Sequence, residues 1–278
     1  MTKKFWNFAK NEADPSVGEL NIYSEISDVS WWGDEVTPAQ FKKDLDSLGD
    51  ISTLNININS PGGDVFAGQT IYSILKRHSA HKVVHIDGLA ASIASIVAMA
   101  GDEIIMPKNA MMMIHNAWTY AAGNKNELRE MADTLEKIDG VLCSIYVEKT
   151  GRKAEEVQAK MDAESWFTAD EALEFGLIDS VGEEMKVAAL DKKFFNKYHN
   201  VPDDVVCVEV ANITIPAEAY TTTNNITIGT GTYDVVPYNG EATQPVEEDK
   251  PTPPAEENVL DSQRQEFNRI KKKLLGKD

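Results

Sequence analysis

Short apolar runs of strand length alternate with helix-length segments over residues 20–185, and this alternation constrains the fold more than any other feature of the chain. Residues 20–26 read as a strand. Residues 38–48 read as a helix with Thr37 as its N-cap. Residues 54–59 alternate Leu or Ile with Asn and read as a strand. The spacing then predicts a helix over 65–77, a strand over 82–86 and a helix of small residues over 91–100. Short strands follow over 103–106 and 111–114, then a long amphipathic helix over 124–149. Thr168 is placed to cap a helix over 169–175, and Gly176 stands where a left-handed residue ends one. Such an order predicts α/β layers joined by βαβ crossovers.

Charge marks where this pattern stops. The 278 residues carry a formal net charge of −18, which argues against a nucleic-acid partner and against an anionic membrane surface. No Lys or Arg occurs between Lys197 and Lys250. We therefore expect a main domain over 1–186 and an acidic, β-rich extension over 187–240, with strands near 205–210 and 225–228. A linker rich in Pro and acids follows over 241–261. A basic amphipathic tail helix is expected over 262–278. Cys143 and Cys207 are too few for a disulfide framework or a Cys-rich zinc site, so a reduced, cytoplasmic setting fits. No signal peptide and no membrane-length apolar run is evident. His78, His81 and His85 straddle a helix end and a strand, do not share one face, and predict no metal site.

Four segments could carry chemistry. Asn59-Ser60-Pro61-Gly62-Gly63-Asp64 links a strand to a helix, and its glycines permit a sharp turn with an unshielded N–H. It also reads as an ordinary turn. Ser92, in Gly88-Leu89-Ala90-Ala91-Ser92-Ile93, sits at a helix start among free N–H groups able to stabilise an oxyanion. It also reads as a simple N-cap, with Ser95 as a packing residue. His115 ends the apolar run Met111-Met112-Met113-Ile114, where a satisfied core histidine is the commoner occupant. Asp162 and Glu164 precede Trp166-Phe167 in what reads as a solvated loop before a helix. Together they supply a nucleophile, a base, an orienting carboxylate and a second N–H, the parts of a serine hydrolase. The order Ser, His, acid and the lack of a Gly-x-Ser-x-Gly elbow differ from the α/β-hydrolases.

At this point the chain resembles the ClpP-type serine peptidases. Asn59-Ser60-Pro61-Gly62-Gly63, Gly88-Leu89-Ala90-Ala91-Ser92, Met113-Ile114-His115 and Glu171-Ala172-Leu173-Glu174-Phe175-Gly176-Leu177-Ile178-Asp179 follow that family's motif order over residues 18–182. Gly18-Glu19-Leu20-Asn21-Ile22-Tyr23 and Trp31-Trp32-Gly33-Asp34-Glu35-Val36-Thr37-Pro38 are more similar to the ClpP-related head maturation (prohead) proteases of tailed bacteriophages.

The resemblance implies a ClpP/crotonase-like layered α/β core. It implies Ser92 as nucleophile, His115 as general base, and the N–H groups of Gly63 and Ile93 as the oxyanion hole. The strand after Gly63 (Asp64, Val65) and the segment after His115 (Asn116, Ala117) correspond to places where an extended peptide is held by β-addition. The helix over 124–149 corresponds to one that joins two rings. Where the family usually has Asp as third member, this chain has Glu164, which can also accept the imidazole N–H. Asp162 is the other candidate, and a site with no working acid is the third possibility. The resemblance implies no metal or cofactor, and no Gly-x4-Gly-Lys phosphate loop is present. The expected partners are copies of the same chain in a ring and a polypeptide substrate, such as a phage capsid or scaffold protein associated with the prohead in the host cytoplasm. The rivals are a housekeeping peptidase working with an unfoldase, an acyl-CoA hydratase or isomerase of the same fold, and a non-catalytic ring that scaffolds a capsid.

Overall fold

The computed structural model describes residues 4–27, 37–184, 190–191, 197–202 and 207–208. Contacts divide the chain into a main unit, Met1–Trp118 with Arg129–Ile213, and a second unit, Thr119–Leu128 with Thr214–Asp278. In the second unit the described residues are 119–128, a loop and the first turn of a long helix. Asn124 caps that turn, its side chain accepting from the N–H of Asn126 while its own N–H donates to Glu127.

The main unit is a mixed α/β structure. Its elements run β1 (Trp6–Lys10), β2 (Val17–Ile22), α1 (Pro38–Asp46), β3 (Thr53–Ser60), α2 (Val65–Arg77), β4 (His81–Ala91), α3 (Ile93–Ala98), β5 (Glu103–Pro107) and β6 (Met111–Ile114). There follow α4 (Lys125–Thr150), α5 (Ala154–Asp162), β7 (Ser165–Phe167), α6 (Ala169–Phe175), β8 (Ser180–Gly182), β9 (Leu190–Asp191) and β10 (Cys207–Val208). The sheet order is β1-β2-β3-β4-β5-β8, with β1 antiparallel to β2 and the other neighbours parallel. Parallel neighbours require crossovers, and α2 between β3 and β4 is one of them.

One strand changes partner along its length. The first half of β4 pairs with β5 at Val83–His85, and its last residues, Leu89 to Ala91, pair with Met111 to Met113 of β6. In turn β6 pairs antiparallel with β7. The sheet thus branches where β4 ends, with β6 and β7 off the main strand order. The core lies between the sheet and the helices. Leu54, Ile56 and Ile58 of β3 point into it, while Asn55 and Asn57 on the opposite face hydrogen-bond to Glu19 and Asn21 of β2. Every residue of α3 is buried.

The elements meet the sequence expectations at α2, whose bounds coincide with those expected and whose cap is Asp64 accepting from the Ala67 N–H. Thr37 caps α1 by accepting from the Gln40 N–H. Thr168 and Glu171 form a reciprocal capping box on α6, and Gly176 ends it in the left-handed region. Three differences stand out. β1 was not anticipated, and the first parallel strand begins at Val17 rather than residue 20 and ends at Ile22. β4 continues five residues past 86, because pairing with β6 takes over where β5 leaves off. The expected loop holding Asp162 and Glu164 is instead the last residue of α5 and a two-residue turn, Ala163 and Glu164, that leads into β7. Of the extension, β9 and β10 pair in parallel. The strand expected over 225–228, the linker over 241–261, the tail helix over 262–278 and most of the Trp31–Pro38 block lie outside the described residues.

Candidate active site

Parallel strands that end together bring their next residues side by side, and this places Ser92 and His115. Ala91 of β4 is in register with Met113 of β6. The ladder continues one bond further, the Ser92 N–H donating to the Met113 carbonyl at 3.0 Å. His115 follows directly on β6. The Ser92 Oγ lies 2.7 Å from the His115 Nε2.

Ser92 stands at the N-cap of α3 but its side chain makes no capping hydrogen bond, so the N-cap reading gives way. Its backbone has φ 57° and ψ −132°, a region that residues with a Cβ avoid. Ser95 holds this bend, its N–H and its Oγ both reaching the Ser92 carbonyl, at 3.0 and 2.6 Å.

The glycine turn meets Ser92 directly. Gly62 and Gly63 both have positive φ, 85° and 148°. A Cβ on Gly62 would lie 2.6 Å from the Ser92 Cβ and 3.2 Å from the Ile93 N, and one on Gly63 would strike the Ile26 carbonyl oxygen at 1.9 Å. Ile26 pins the turn by donating to Gly62 and accepting from Asp64, both at 2.8 Å. Neither the Gly63 N–H nor the Ile93 N–H is taken by an acceptor among the described residues. Two unpaired N–H groups beside a hydroxyl are what a developing oxyanion requires.

Glu164 is placed opposite His115. β6 and β7 are antiparallel with Ile114 opposite Ser165, so the next pair outward is His115 and Glu164. Glu164 joins α5 to β7 with φ 47°, an unusual conformation for glutamate. Its Oε1 accepts the backbone N–H groups of His199 and Asn200, both at 2.7 Å. The imidazole Nδ1 of His115 has no hydrogen-bond partner among the described residues, although the Glu164 charge acts on the ring. Asp162 is turned elsewhere, accepting from Asn116 and Gln158 at 2.8 Å each, contacts that hold its carboxyl below the usual range.

Burial pushes the His115 imidazole down to about 4, against the upward pull of Glu164 and with Lys197 and His199 adding to the depression. It is therefore neutral, and able to accept a proton, across the neutral range.

The residues expected to hold a peptide are variously engaged. Val65 is the first residue of α2 and Asp64 its cap, so a helix, not an extended edge, follows Gly63. The Ala117 N–H donates to Asp139 of α4 at 2.7 Å, and Asn116 faces Asp162 and Gln158. Among the described residues no three potential metal ligands are gathered, and no helix is long and apolar enough to cross a membrane.

Sequence reasoning missed Tyr198. It is 7% exposed and lies edge-on to His115 (centroids 5.5 Å apart) and to Trp166 (5.8 Å). It packs with Leu89, Ala91 and Met113, and its hydroxyl donates to the Pro61 carbonyl with the Ser92 side chain beside it. Burial drives the phenol upward, so it stays protonated. The one available signal is compositional: Lys192-Lys193-Phe194-Phe195-Asn196-Lys197-Tyr198-His199 is a basic, aromatic patch in an acidic chain.

The profile of the Clp protease family matches residues 41–185, just over half of the chain and inclusive of Gly63, Ser92, Ile93, His115 and Glu164. The chain belongs to the Clp protease family. Among its relatives, the ATP-dependent Clp protease proteolytic subunit of Bacteroides fragilis is 34% identical over 140 residues, 49% of this chain and 67% of the relative. The subunit of the same name from Porphyromonas gingivalis is 32% identical over 142 residues, 50% of this chain and 64% of the relative. That of Bacteroides thetaiotaomicron is 34% identical over 140 residues, 49% and 63% respectively. This Clp family member thus spans about two thirds of the curated relatives it matches, and its Tyr198 segment lies beyond the stretch matched by the family profile.

Proposed function

We propose that the chain is a serine endopeptidase in which Ser92 is the nucleophile and His115 the general base. The observation that carries this reading is the 2.7 Å contact between the Ser92 Oγ and the His115 Nε2 beside two unpaired N–H groups. As the Oγ attacks the scissile carbonyl, Nε2 takes its proton. The oxyanion rests on the Gly63 and Ile93 N–H groups. The imidazolium then gives its proton to the leaving amine, leaving an acyl-enzyme. His115 deprotonates a water that attacks the ester, and Ser92 recovers its proton. Glu164 acts by accepting the Nδ1–H, which requires a turn of its carboxylate from where it now rests.

A fluorophosphonate probe tests this. An adduct on Ser92, located by mass spectrometry and absent from Ser92→Ala, is expected. No adduct in either the wild-type or a Tyr198→Ala chain leaves the non-catalytic ring as the better account.

Assembly of copies into a ring is part of the proposal, supported by membership of the Clp protease family. Mass in solution measures it directly. Capsid or scaffold proteins as substrates are proposed from the N-terminal blocks at Gly18–Tyr23 and Trp31–Pro38. Co-expression with a tailed-phage capsid or scaffold protein should change that protein's mobility with wild type and not with Ser92→Ala.

A further inference from the structure

We propose that residues 197–200 are an intramolecular ligand of the active-site cleft, holding the peptidase at rest by covering Ser92 and engaging Glu164. This rests on the peptidase reading above. Two contacts act on two different catalytic groups. The first is Tyr198, whose ring fills the apolar hollow of Leu89, Ala91, Met113 and Trp166 and whose hydroxyl reaches the Pro61 carbonyl in front of Ser92. A substrate carbonyl approaching the Ser92 Oγ must displace that phenol, because the ring is almost wholly enclosed.

The second contact is with the acid. The Oε1 of Glu164 accepts both the His199 and Asn200 N–H groups, and the Asn200 side chain donates to the Ala163 carbonyl at 3.0 Å. Oε1 is thereby engaged as in a peptide-bound carboxylate, and the His115 Nδ1 has no partner among the described residues. Lys197 anchors the near end of the segment through Glu25 at 3.1 Å. One short stretch therefore blocks access and draws off the group that would stabilise the imidazolium. Its departure performs both reverse steps at once.

Departure also changes the surroundings of the base. The groups acting on His115 are Glu164 from the α5–β7 junction and Lys197 and His199 from the covering segment, with the Tyr198 ring against its edge. Removing Lys197, His199 and an aromatic cover while freeing the carboxylate moves the imidazole upward toward the ordinary value of about 6.5.

The test uses the full-length chain with a fluorophosphonate. Tyr198→Ala removes the cover, and Asn200→Pro removes one N–H from Glu164 while leaving the ring. Both are compared with wild type for labelling rate, the pH midpoint of labelling, and thermal unfolding. Labelling at least about 10-fold faster in either folded variant, with a midpoint moved upward from about 4, supports the proposal. Equal or slower labelling in both variants, folded and with an unmoved midpoint, overturns it while leaving the peptidase intact. Absence of labelling in all three chains overturns the peptidase reading itself.

Discussion

The Tyr146 hydroxyl, near the C-terminal end of α4, lies 2.7 Å from the Ser95 hydroxyl in the buried core. Ser95 spends its single proton on the Ser92 carbonyl, so Tyr146 is the donor in this pair. Burial drives the phenol of Tyr146 upward, so that it remains a donor at any working pH. A chain of two hydroxyls thus runs from α4 to the backbone of the proposed nucleophile.

Tyr146→Phe breaks that chain and leaves a buried oxygen without its donor. A loss of about 1–2 kcal/mol is expected in urea unfolding. Turnover of a peptide substrate should fall through kcat, with KM little changed, because the bend at Ser92 loses support. An unaltered denaturation midpoint and unaltered kcat would show that the contact holds nothing in place.

The bend itself makes a separate prediction. At φ 57° a side chain with a Cβ is strained by roughly 1–2 kcal/mol. Ser92→Ala keeps the Cβ and the strain, whereas Ser92→Gly releases it at some entropic cost. The glycine variant should be the more stable of these two inactive chains by about 1 kcal/mol. Urea midpoints decide it, and a glycine variant weaker than the alanine variant contradicts the strained geometry.

His115 links stability to pH. Its imidazole is held near 4 in the fold and returns to about 6.5 in the unfolded chain. Between these values the unfolded chain binds the proton and the folded chain does not. Stability from this group is therefore present above pH 6.5 and lost as pH falls toward 4, by an amount on the order of 3 kcal/mol. Carboxylates titrate nearby, so the measurement is a difference. Urea unfolding at pH 7 and pH 4.5 should show a larger drop for wild type than for His115→Gln. Equal drops would mean that the imidazole is not held neutral by burial.

Much of the framework was legible locally. α2 could be bounded because Asp64 and the apolar spacing agree, and α6 because Thr168, Glu171 and Gly176 are each suited to one position. His115 could be read as the end of an apolar run and Ser92 as the start of a helix of small residues, but their contact depends on β4 exchanging β5 for β6, which no local pattern announces. Gly88, Ala90 and Ala91 are poor strand formers, and β3 and β6 hold them extended from either side. α5 buries only Val157 and Met161, too thin a stripe to distinguish from loop. Glu164 could be picked as a carboxylate near the right place, yet its capture by His199 and Asn200 joins residues some 35 positions apart. Nothing short-range in the chain encodes that.

The change of partner along β4 has a consequence for the cell that makes this protein. A nascent chain with only its first strands assembled carries the serine but has no β6, and hence no imidazole beside it. On the proposed mechanism the capacity to cut therefore emerges only once β6 has joined β4.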